Sequence, residues 1–522
     1  MLAKLTIFQV NDLHAQVWPH HEYFWEGGLG NYRADIGGMA RIAGIVKRAR
    51  REAPGQVLFF DCGDALFGSY YGHLEEGAGL VRVLNDMSLD ATNAGHWEFS
   101  FGPQTYLERV RALNYPVYAC NVHDKATGQL VFRPYGVHEA DGVRVGVIGL
   151  ASNIVDKSMP PAFSEGLFFT MGLEKGELAA AVAALAEQAD IIVALSHLGL
   201  GQDIEVAKRA PGIDVFISGH THNRLYEPYV LPAGEKAAVQ RAATSETTLT
   251  SSGSSTDVPN YGPTIFVESG FSGSFLGRLD LTVDLPAAGG RPGSRGRARI
   301  TDYQWRLQVV DTSLPEDEET RAAAEKLTRP HREVLAEVIG RTETPLNRML
   351  FLESTMDNLI TQAYQEYTGA EVAVSHGWRF GPPIPAGDIT LGDLWNMLPL
   401  DVPVFTLRLT GRELRDLIEK WMADSATAPI NQKGGYFTRQ SGMNVVARIN
   451  NPDGYRVEEL FIDGRPWRAD SLYSVAVGGQ QDIGANVGRD RQRVGTAQAI
   501  VRRYLVKGPA RAELTHDKFI WA

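Results

Sequence analysis

The 522-residue sequence contains only two cysteines, Cys62 and Cys120. This small number excludes a fold that depends on several disulfide bridges. Each cysteine follows an apolar run, so we predict two small buried thiols, with a bridge between neighbouring strand ends as the alternative. No apolar stretch approaches the roughly 20 residues that a membrane helix needs, which predicts a chain that does not cross a membrane.

Basic residues do not outnumber acidic residues in this sequence. The formal net charge is −11, from 51 Lys and Arg against 62 Asp and Glu, and no basic stripe interrupts this balance. We therefore expect no nucleic-acid partner. The chain opens on Leu2–Phe8, a run typical of a strand, so we expect no secretory leader; the protein is then either cytoplasmic or a mature or trimmed form. A chain of this length is too long for one core, which predicts two domains.

The N-terminal part alternates short apolar runs with amphipathic segments, as an α/β fold does. Gly38–Ala53 has the apolar spacing of a helix, whereas Val57–Phe60 and Ile191–Leu195 are typical of buried strands. Further along, residues 275–283 and 297–307 alternate like the two strands of a hairpin. The Ser/Thr-rich stretch 246–256 has no periodicity and predicts a mobile insertion.

Seven His and Asp side chains follow the predicted strands. They are Asp12, His14, Asp64, His96, His197, His220 and His222. In the two x-spaced pairs, an extended backbone would direct both side chains to the same face. Imidazole and carboxylate ligands together suit Mn, Fe or Zn rather than Mg or Ca. We interpret the set as a two-metal hydrolytic site; the alternative is a group of unrelated polar residues at turns.

The order of these motifs resembles the calcineurin-like metallophosphoesterases, most closely their 5'-nucleotidase branch. The resemblance implies a four-layer α/β/β/α metal domain over residues 1–312, a linker helix at 313–341, and a smaller α/β substrate-recognition domain over 342–522. It also implies the ligand sets of the two metals: Asp12, His14, Asp64 and His222 for the first, and Asp64, His96, His197 and His220 for the second.

One segment departs from the nucleotidase pattern. Those enzymes carry Gly-Asn-His-Glu-Phe-Asp where this chain has Gly95-His96-Trp97-Glu98-Phe99-Ser100. The ligand Asn has become His96, the catalytic His has become Trp97, and the Asp that orients it has become Ser100. This pattern is similar to that of the SoxB thiosulfohydrolases of the Sox sulfur-oxidation system. Trp97 is then either an apolar wall with one N–H donor beside the substrate, or a plain core aromatic.

This second resemblance implies a dimetal hydrolase, a sulfate thiol esterase. Metal-bound hydroxide would attack the sulfur of a cysteine-bound S-sulfonate on a carrier protein and release sulfate. The resemblance further implies two Mn²⁺ ions, with Zn²⁺ as the alternative, a SoxYZ-like carrier with its cysteine on a flexible arm, a periplasmic location and a monomer. The alternative function is a 5'-nucleotidase or a related phosphomonoesterase or phosphodiesterase. A non-catalytic carrier-binding module is disfavoured, because structural metal sites are normally closed by protein ligands.

The C-terminal part contains two loops that resemble nucleotidase substrate loops, and each carries an arginine. Arg379 and Arg439 are predicted to hold sulfonate oxygens, because a guanidinium offers a fork of donors; the alternative is a cation–π or surface arginine. The patterns Ser354-x-x-Asp357 and Thr410-x-x-Glu413 predict two helix starts. Residues 315–339 are predicted to form the linker helix, and residues 17–28 an aromatic loop at the mouth of the site.

Overall fold

The computed structural model describes residues 1–26, 29–233, 235, 262–286, 298–378, 380–432 and 437–522. The predicted insertion at 246–256 and the candidate residue Arg379 lie outside the described residues.

The strands of the described residues cover most of the segments in which apolar residues alternate or run together. In chain order they are β1 (Leu2–Val10), β2 (His20–Glu26), β3 (Leu29–Ile36), β4 (Val57–Asp61), β5 (Ala91–Thr92), β6 (Val122–Asp124), β7 (Tyr135–Ala140), β8 (Val143–Leu150), β9 (Leu167–Phe169), β10 (Ile191–Ser196), β11 (Val215–Ser218), β12 (Tyr229–Leu231), β13 (Thr264–Val267), β14 (Phe275–Asp284), β15 (Arg299–Val309), β16 (Val338–Thr342), β17 (Val372–Ser375), β18 (Gly387–Thr390), β19 (Pro403–Thr410), β20 (Arg439–Ser441), β21 (Met443–Ala447), β22 (Val457–Ile462), β23 (Arg465–Pro466), β24 (Leu472–Gly478), β25 (Arg489–Thr496) and β26 (Phe519–Trp521).

The helices in the same part of the chain lie between these strands. They are α1 (Met39–Glu52), α2 (Tyr70–His73), α3 (Ala78–Asp86), α4 (Pro103–Ala112), α5 (Glu177–Ala186), α6 (Leu200–Arg209), α7 (Glu318–Thr328), α8 (Arg332–Leu335), α9 (Thr355–Thr368), α10 (Leu391–Met397), α11 (Gly411–Ser425) and α12 (Ala497–Leu505). One short 3₁₀ turn, Trp97–Phe99, matters for the site described below.

The first compact unit consists of residues 1–18, 36–67 and 71–327, and it contains two sheets. The first sheet has the strand order β15-β14-β1-β4-β5, and the second has β12-β13-β11-β10-β8-β7. In the first sheet β1 runs parallel to β4 and antiparallel to β14. In the second, β10 runs parallel to both β8 and β11. The carboxyl ends of the parallel strands therefore share one rim in each sheet, which is where open α/β sheets assemble their sites.

The core of this unit lies between the two sheets. Alternate residues of β1, such as Leu5 and Ile7, meet Val145 of β8 and Val193 of β10 in one buried cluster. The other face of the second sheet is covered by α5 and α6, and α1 contacts β4 of the first sheet. The architecture is a four-layer α/β/β/α sandwich, as predicted. The predicted hairpin is also confirmed, because β14 and β15 pair antiparallel.

The second compact unit consists of residues 19–35, 68–70 and 328–522. Its larger sheet has the order β20-β17-β24-β19-β25 and its smaller sheet the order β23-β22-β21-β26. A buried cluster joins apolar residues of both sheets with residues of α11, including Leu414 and Trp421. The unit is a smaller α/β domain, as expected.

Within the segment predicted as an aromatic loop at 17–28, residues His20–Glu26 form a strand instead. The described residues on either side of 27–28 are β2 and β3, which form a two-stranded sheet. Aromatic rings stabilise it: Tyr23 makes edge contacts with Trp25 and with Tyr32. The Tyr32 hydroxyl accepts a hydrogen bond from Asn347 Nδ2 at 2.7 Å, and this bond lies within the second unit. Large aromatic side chains favour strands, which the prediction of a loop underestimated.

The single linker helix predicted at 315–339 is not observed. Helix α7 ends at Thr328, a 3₁₀ turn and the one-turn α8 follow, and β16 begins at Val338. Pro330 accounts for the break, because proline lacks the backbone N–H and disfavours a helical conformation in the residue before it. The division between the two units falls at 327/328, so α7 packs with the first unit.

Thr410 and Glu413 form the capping box that the sequence predicts at the start of α11. The Thr410 hydroxyl accepts the Glu413 backbone N–H at 3.3 Å, and the Glu413 carboxylate accepts the Thr410 backbone N–H at 2.7 Å. Replacing Thr410 with alanine should lower the free energy of unfolding by about 1 kcal/mol, because one backbone donor loses its partner. Urea denaturation of the variant and the wild type measures this; Thr410→Ser should retain most of the stability, and equal losses in both variants would contradict it.

Cys62 and Cys120 are both free and buried, which confirms the predicted buried thiols. The helices that the structure describes include none of the length and hydropathy needed to cross a membrane.

Candidate metal centre

The structure brings all seven predicted ligand residues together at the rim of the first unit, in two groups. Asp64, His96, His197 and His220 form one group, and Asp12, His14 and His222 form the other; within each group the ligand atoms lie within 4.8 Å of one another. The first sheet supplies residues after β1, β4 and β5, and the second sheet supplies residues after β10 and β11. The centre therefore spans the shared rim of the sandwich.

The local backbone differs from the extended conformation that the spacing argument assumed. β1 ends at Val10 and β11 ends at Ser218, so neither x-spaced pair lies within a strand. Five of the seven residues instead have φ between 48° and 70°, namely Asp12, His14, Asp64, His220 and His222. This left-handed conformation costs about 1–2 kcal/mol per residue for L-amino acids. Such conformations persist where the surrounding structure fixes them, and they cluster at functional sites.

The four-residue group converges on Asp64. The Asp64 Oδ2 atom lies 3.0 Å from His96 Nδ1 and 3.0 Å from His197 Nε2. These three buried atoms nevertheless make no well-aligned hydrogen bond among the described residues. These ligand atoms lie close together without hydrogen-bond partners in the described part of the chain. A bound cation would provide the partner that they lack.

The three-residue group converges on Asp12. His222 Nε2 lies 3.1 Å from Asp12 Oδ1, and His14 Nε2 lies 3.2 Å from His222 Nε2. Asp12 Oδ1 also lies 3.7 Å from His197 Nε2, which links the two groups. Asp64 belongs to only one group by distance, so its predicted role as the ligand shared by both metals stays a prediction.

Backbone carbonyls fix the tautomers of two of the histidines. His14 Nδ1 donates to Phe67 O at 3.0 Å, and His197 Nδ1 donates to Cys62 O at 2.5 Å. A carbonyl can only accept a hydrogen bond, so Nδ1 carries a proton in both rings, and in the neutral imidazole the Nε2 lone pair faces the centre. Such outer contacts orient metal-binding imidazoles.

The electrostatics of the centre favour ionised carboxylates. Burial alone would raise the pKa of Asp64, but the His197 and His96 imidazoles outweigh it and hold that pKa well below its usual range. Burial likewise opposes protonation of His197, but the Asp64 and Asp12 carboxylates outweigh it and raise the His197 pKa to about 10. Burial, followed by the neighbouring His222, lowers the pKa of His14 to about 4. A cation would compete with the His197 proton for the same carboxylates.

Two glycines allow the close approach of the ligand loops. A Cβ atom at Gly95 would lie 2.1 Å from Asp64 Oδ1, and a Cβ at Gly219 would lie 2.9 Å from Cys62 O and 3.1 Å from His197 Nδ1. A side chain at either position would displace a ligand or the contact that orients it. The glycines that precede His96 and His220 are therefore a steric requirement of the centre.

Two buried glutamates that the sequence reasoning missed hold the ligand loops. Glu98 accepts the backbone N–H groups of Asp64 at 2.9 Å and of Ala65 at 2.7 Å. Glu268 contacts the segment that carries His220 and His222. Burial raises the pKa of both carboxyl groups to about 8. Glu98 was visible in the motif beside Trp97, whereas Glu268 had no local signal because its partners are far away in sequence.

Trp97 lies directly beside the four-residue group. Its backbone N–H donates to Asp64 Oδ1 at 2.8 Å, and its side chain is buried. The indole stacks on Phe67, with ring centroids 5.0 Å apart and planes 13° apart, and meets Phe163 edge-on. The ring is thus both a packed aromatic and a neighbour of the centre, so the two readings of the sequence are compatible.

Arg439, in contrast, is buried within the second unit. Its Nε lies 3.2 Å from Asp357 Oδ2, Nη2 donates to Leu350 O at 2.7 Å, and Nη1 donates to Phe351 O. These contacts stabilise the interior of the second unit through an ion pair and two hydrogen bonds to backbone carbonyls. The sequence could not indicate this, because Asp357 lies 82 residues away. The predicted substrate contact of Arg439 has no support in these bonds.

The donor set fits a two-metal centre of the Mn, Fe or Zn type. Four buried imidazoles, the partly buried imidazole of His222 and two buried carboxylates lie together, and backbone carbonyls orient two of the imidazoles. Hard cations such as Mg²⁺ and Ca²⁺ prefer all-oxygen ligand sets, so this arrangement disfavours them.

Comparison with known proteins agrees with the fold. Residues 338–479 match the family model of the 5'-nucleotidase C-terminal domain. The chain is 24% identical to the 5'-nucleotidase of Vibrio cholerae, over 91% of this chain and 84% of that protein. It is also 24% identical to the trifunctional nucleotide phosphoesterase YfkN of Bacillus subtilis, over 88% of this chain, although it spans only 30% of that longer protein.

Two solved structures from Thermus thermophilus are similar over nearly the whole chain. The sulfate thiohydrolase SoxB, in complex with glycerol, has a TM-score of 0.82 and 25% identity, covering 99% of this chain and 96% of that one. A 5'-nucleotidase precursor has a TM-score of 0.79 and 22% identity, covering 99% of both chains. Residues 338–479 are therefore a 5'-nucleotidase C-terminal domain, and the chain as a whole shares the fold of these two structures over nearly its full length.

Proposed function

We propose that the protein is a dimetal thiosulfohydrolase that releases sulfate from a cysteine-bound S-sulfonate on a sulfur carrier protein. The observation that carries the proposal is Trp97, which stands beside the ligand His96 where the nucleotidase pattern has its catalytic histidine. The likeness to the SoxB structure, at a TM-score of 0.82, supports the same assignment.

The two groups of candidate ligands would each hold one cation. Asp64, His96, His197 and His220 would hold one cation, and Asp12, His14 and His222 the other. When bound, the cations would supply a nucleophile from water at neutral pH and offset the charge on the oxygens of the group under attack.

Trp97 determines which leaving group the chain can expel. An indole N–H donates a hydrogen bond but does not transfer a proton at neutral pH, so this position offers no general acid. An alkoxide leaving group needs such an acid, and general acid–base catalysis contributes about 10²–10⁴-fold in rate. A thiol has a pKa of roughly 8.5, so a thiolate or persulfide departs without one. The absence of a general acid here should therefore slow the hydrolysis of phosphate esters much more than the hydrolysis of an S-sulfonate.

The aromatic stack around Trp97 gives this side of the centre an apolar wall. Phe67 stacks on the indole, and Phe101 packs edge-on against Phe67 with a centroid distance of 5.7 Å. Apolar surfaces exclude water and strengthen electrostatic interactions between the charged groups next to them. The wall thus suits a site in which an anionic sulfonate meets buried imidazoles and carboxylates.

The C-terminal unit supports a substrate other than a nucleotide. Phe437 lies in the loop that resembles a nucleobase-stacking loop, but its ring is only 1% exposed. It packs edge-on against Phe519 at a centroid distance of 4.4 Å and also contacts Trp521. A ring whose faces are occupied in this way is a poor platform for a base.

A 5'-nucleotidase is the second candidate. It is favoured by the C-terminal domain match and by the names of the relatives, which include the 5'-nucleotidase of Vibrio cholerae. The two functions share the metal centre and differ in the leaving group.

Further properties of the protein are part of the same proposal. We propose Mn²⁺ as the metal, with Zn²⁺ as the alternative, because the donor set suits both. The carrier would present its cysteine on a flexible arm, the enzyme would act as a monomer, and its location would be periplasmic, as for the Sox system. Reconstitution with each metal in turn, followed by the assay below, separates the two ions.

The decisive experiment compares two substrates under the same conditions. Metal-free protein is reconstituted with Mn²⁺ and incubated either with a carrier protein S-sulfonated at its cysteine or with AMP, and sulfate and phosphate are measured. The proposal expects sulfate release with little phosphate, and metal-free protein gives the background. Phosphate release that exceeds sulfate release would favour the nucleotidase.

The leaving-group argument makes a prediction about the missing catalytic dyad. The double variant Trp97→His, Ser100→Asp should raise phosphomonoesterase activity toward AMP by about 10–100-fold, part of the gain that a general acid provides. Ser100→Asp alone should give no gain, since it adds the orienting carboxylate without the acid. The measurement is phosphate release at saturating metal.

The double variant loses the stack on Phe67, so its folding is checked by circular dichroism and thermal unfolding. A folded double variant without any gain in phosphatase activity would contradict the leaving-group argument.

A further inference from the structure

Glu268 lies beneath the loop that carries two of the candidate metal ligands. We propose that Glu268 is a positioning residue: by clamping Thr221 and Asn223, it holds the imidazoles of His220 and His222 in the geometry that binds the cations.

The contacts of Glu268 are fully directed at this loop. It follows β13 at the rim of the second sheet and is completely buried. Its Oε1 atom accepts the Asn223 backbone N–H at 2.9 Å, and Oε2 accepts Asn223 Nδ2 at 2.9 Å. The Thr221 hydroxyl lies 2.9 Å from Oε2 and 3.0 Å from Oε1. One carboxylate therefore anchors the side chains of two residues and one backbone amide.

The anchored residues alternate with the ligands. Thr221 lies between His220 and His222, and Asn223 follows His222, so each imidazole is attached to a residue that Glu268 holds. The two histidines have φ values of 70° and 58°, in the left-handed region. Residues other than glycine keep this backbone conformation only where the surrounding structure fixes it. Glu268 supplies that constraint from outside the loop.

A second anchor fixes the other side of the same loop. The His220 backbone N–H donates to Asp12 Oδ2 at 2.9 Å. The loop is therefore held by Asp12, itself a candidate ligand, and by Glu268, which belongs to neither group of candidate ligands. The Glu268 anchor can thus be altered without removing a candidate ligand.

A carboxylate suits this position better than an amide. All the groups that Glu268 meets in the loop can donate a hydrogen bond: a backbone N–H, an amide NH₂ and a hydroxyl. A glutamine would place its own NH₂ group against one of these donors and lose one hydrogen bond. Outer contacts of this kind change metal affinity by about 10–100-fold when removed.

The test measures metal binding to the full chain, without a substrate. Metal-free wild type, Glu268→Gln and Glu268→Ala are titrated with Mn²⁺ and with Zn²⁺ by calorimetry. We expect Kd to rise by about 10–100-fold for Glu268→Ala, with Glu268→Gln intermediate because it keeps one acceptor oxygen. Activity, if measured, should recover in Glu268→Gln at higher metal concentration, since the ligands themselves are intact.

A matched control is Glu177→Gln. Glu177 is a partly buried carboxylate in the same unit that accepts hydrogen bonds from Thr170 at 2.7 Å and from His123 at 3.0 Å, in a separate cluster. This variant should keep the wild-type Kd. Equal losses in Glu177→Gln and Glu268→Gln, or an unchanged Kd in folded Glu268→Gln, would overturn the positioning role.

The inference depends on the metal centre of the proposed function but not on its substrate. Absence of sulfate release with normal metal binding would count against the thiosulfohydrolase alone. If Glu268→Ala does not fold, Glu268→Gln carries the test, because it preserves the size of the side chain.

Discussion

Replacing Asp64 with asparagine should lower turnover by about 10³-fold, the upper end of the loss expected when one preorganised electrostatic contact is removed. Asp64 Oδ2 lies 3.0 Å from both His96 Nδ1 and His197 Nε2, so it is the point on which the four-residue group converges. Asparagine keeps the size of the side chain and removes its charge. Without that charge, the cation loses its anionic ligand and the imidazoles lose the group that holds them together.

The measurement combines turnover with metal content. Sulfate release from the S-sulfonated carrier, or phosphate release from AMP if that substrate is turned over, is compared with metal bound per chain by mass spectrometry. The expected result for Asp64→Asn is a loss of both turnover and bound metal.

Asp61→Asn is a matched control from the same segment. Asp61 Oδ2 accepts the Thr92 hydroxyl at 2.7 Å and the Gly63 N–H at 3.2 Å, and an asparagine oxygen can accept both. Its turnover should fall by less than about tenfold, since no charge next to a cation is lost. If Asp64→Asn retained turnover and metal at the level of Asp61→Asn, Asp64 would not be a ligand.

The seven metal-centre residues could be predicted because each follows a recognisable apolar strand. Parallel strands bring their carboxyl ends to one rim, so residues after β1, β4, β10 and β11 meet whatever the local conformation is. The reason given from spacing was wrong in detail, since the ligands lie beyond the strands with left-handed backbone. Local conformations of this kind depend on contacts with distant residues, which a local pattern does not contain.

The buried carboxylates that hold the metal-centre loops, Glu98 and Glu268, could not be predicted for the same reason. Glu98 lies two residues after His96, and its three backbone partners begin 34 residues earlier at Asp64. Glu268 lies 45 residues beyond Asn223. Neither residue type nor periodicity predicts a contact between residues so far apart in sequence, whereas the folded structure shows it directly.

The C-terminal unit was harder to predict where function was concerned. Helix starts at Ser354 and Thr410 were confirmed, because capping depends on residues three positions apart. Arg439 was assigned to substrate from its place in a loop, but its guanidinium instead binds Asp357 in the interior. A single sequence cannot distinguish an arginine that meets a substrate from one that meets a buried carboxylate.

This buried carboxylate leads to the largest expected effect on stability: Asp357→Ala should lower the free energy of unfolding of the second unit by about 3–5 kcal/mol. Asp357 Oδ1 lies 3.2 Å from Arg348 Nε and Oδ2 lies 3.2 Å from Arg439 Nε, and all three side chains are at most 3% exposed. Removing the carboxylate leaves two buried guanidinium charges without their counterion, and the desolvation penalty of each is then no longer offset.

Calorimetry of the full chain measures the effect, with the transition of the second unit followed separately because two compact units need not unfold together. Asp388→Ala is the matched control, since Asp388 pairs with Arg341 at 3.1 Å while both side chains are more than half exposed. Screening by water limits such a pair to about 0–1 kcal/mol. Ser354→Ala removes the cap of α9 and the hydrogen bond from the Ser354 hydroxyl to Asp357 Oδ2 at 2.6 Å but keeps the carboxylate, so it should cost about 1–2 kcal/mol. An Asp357→Ala loss no greater than these two would mean that water reaches the arginines, and Arg439 would again be available to a substrate.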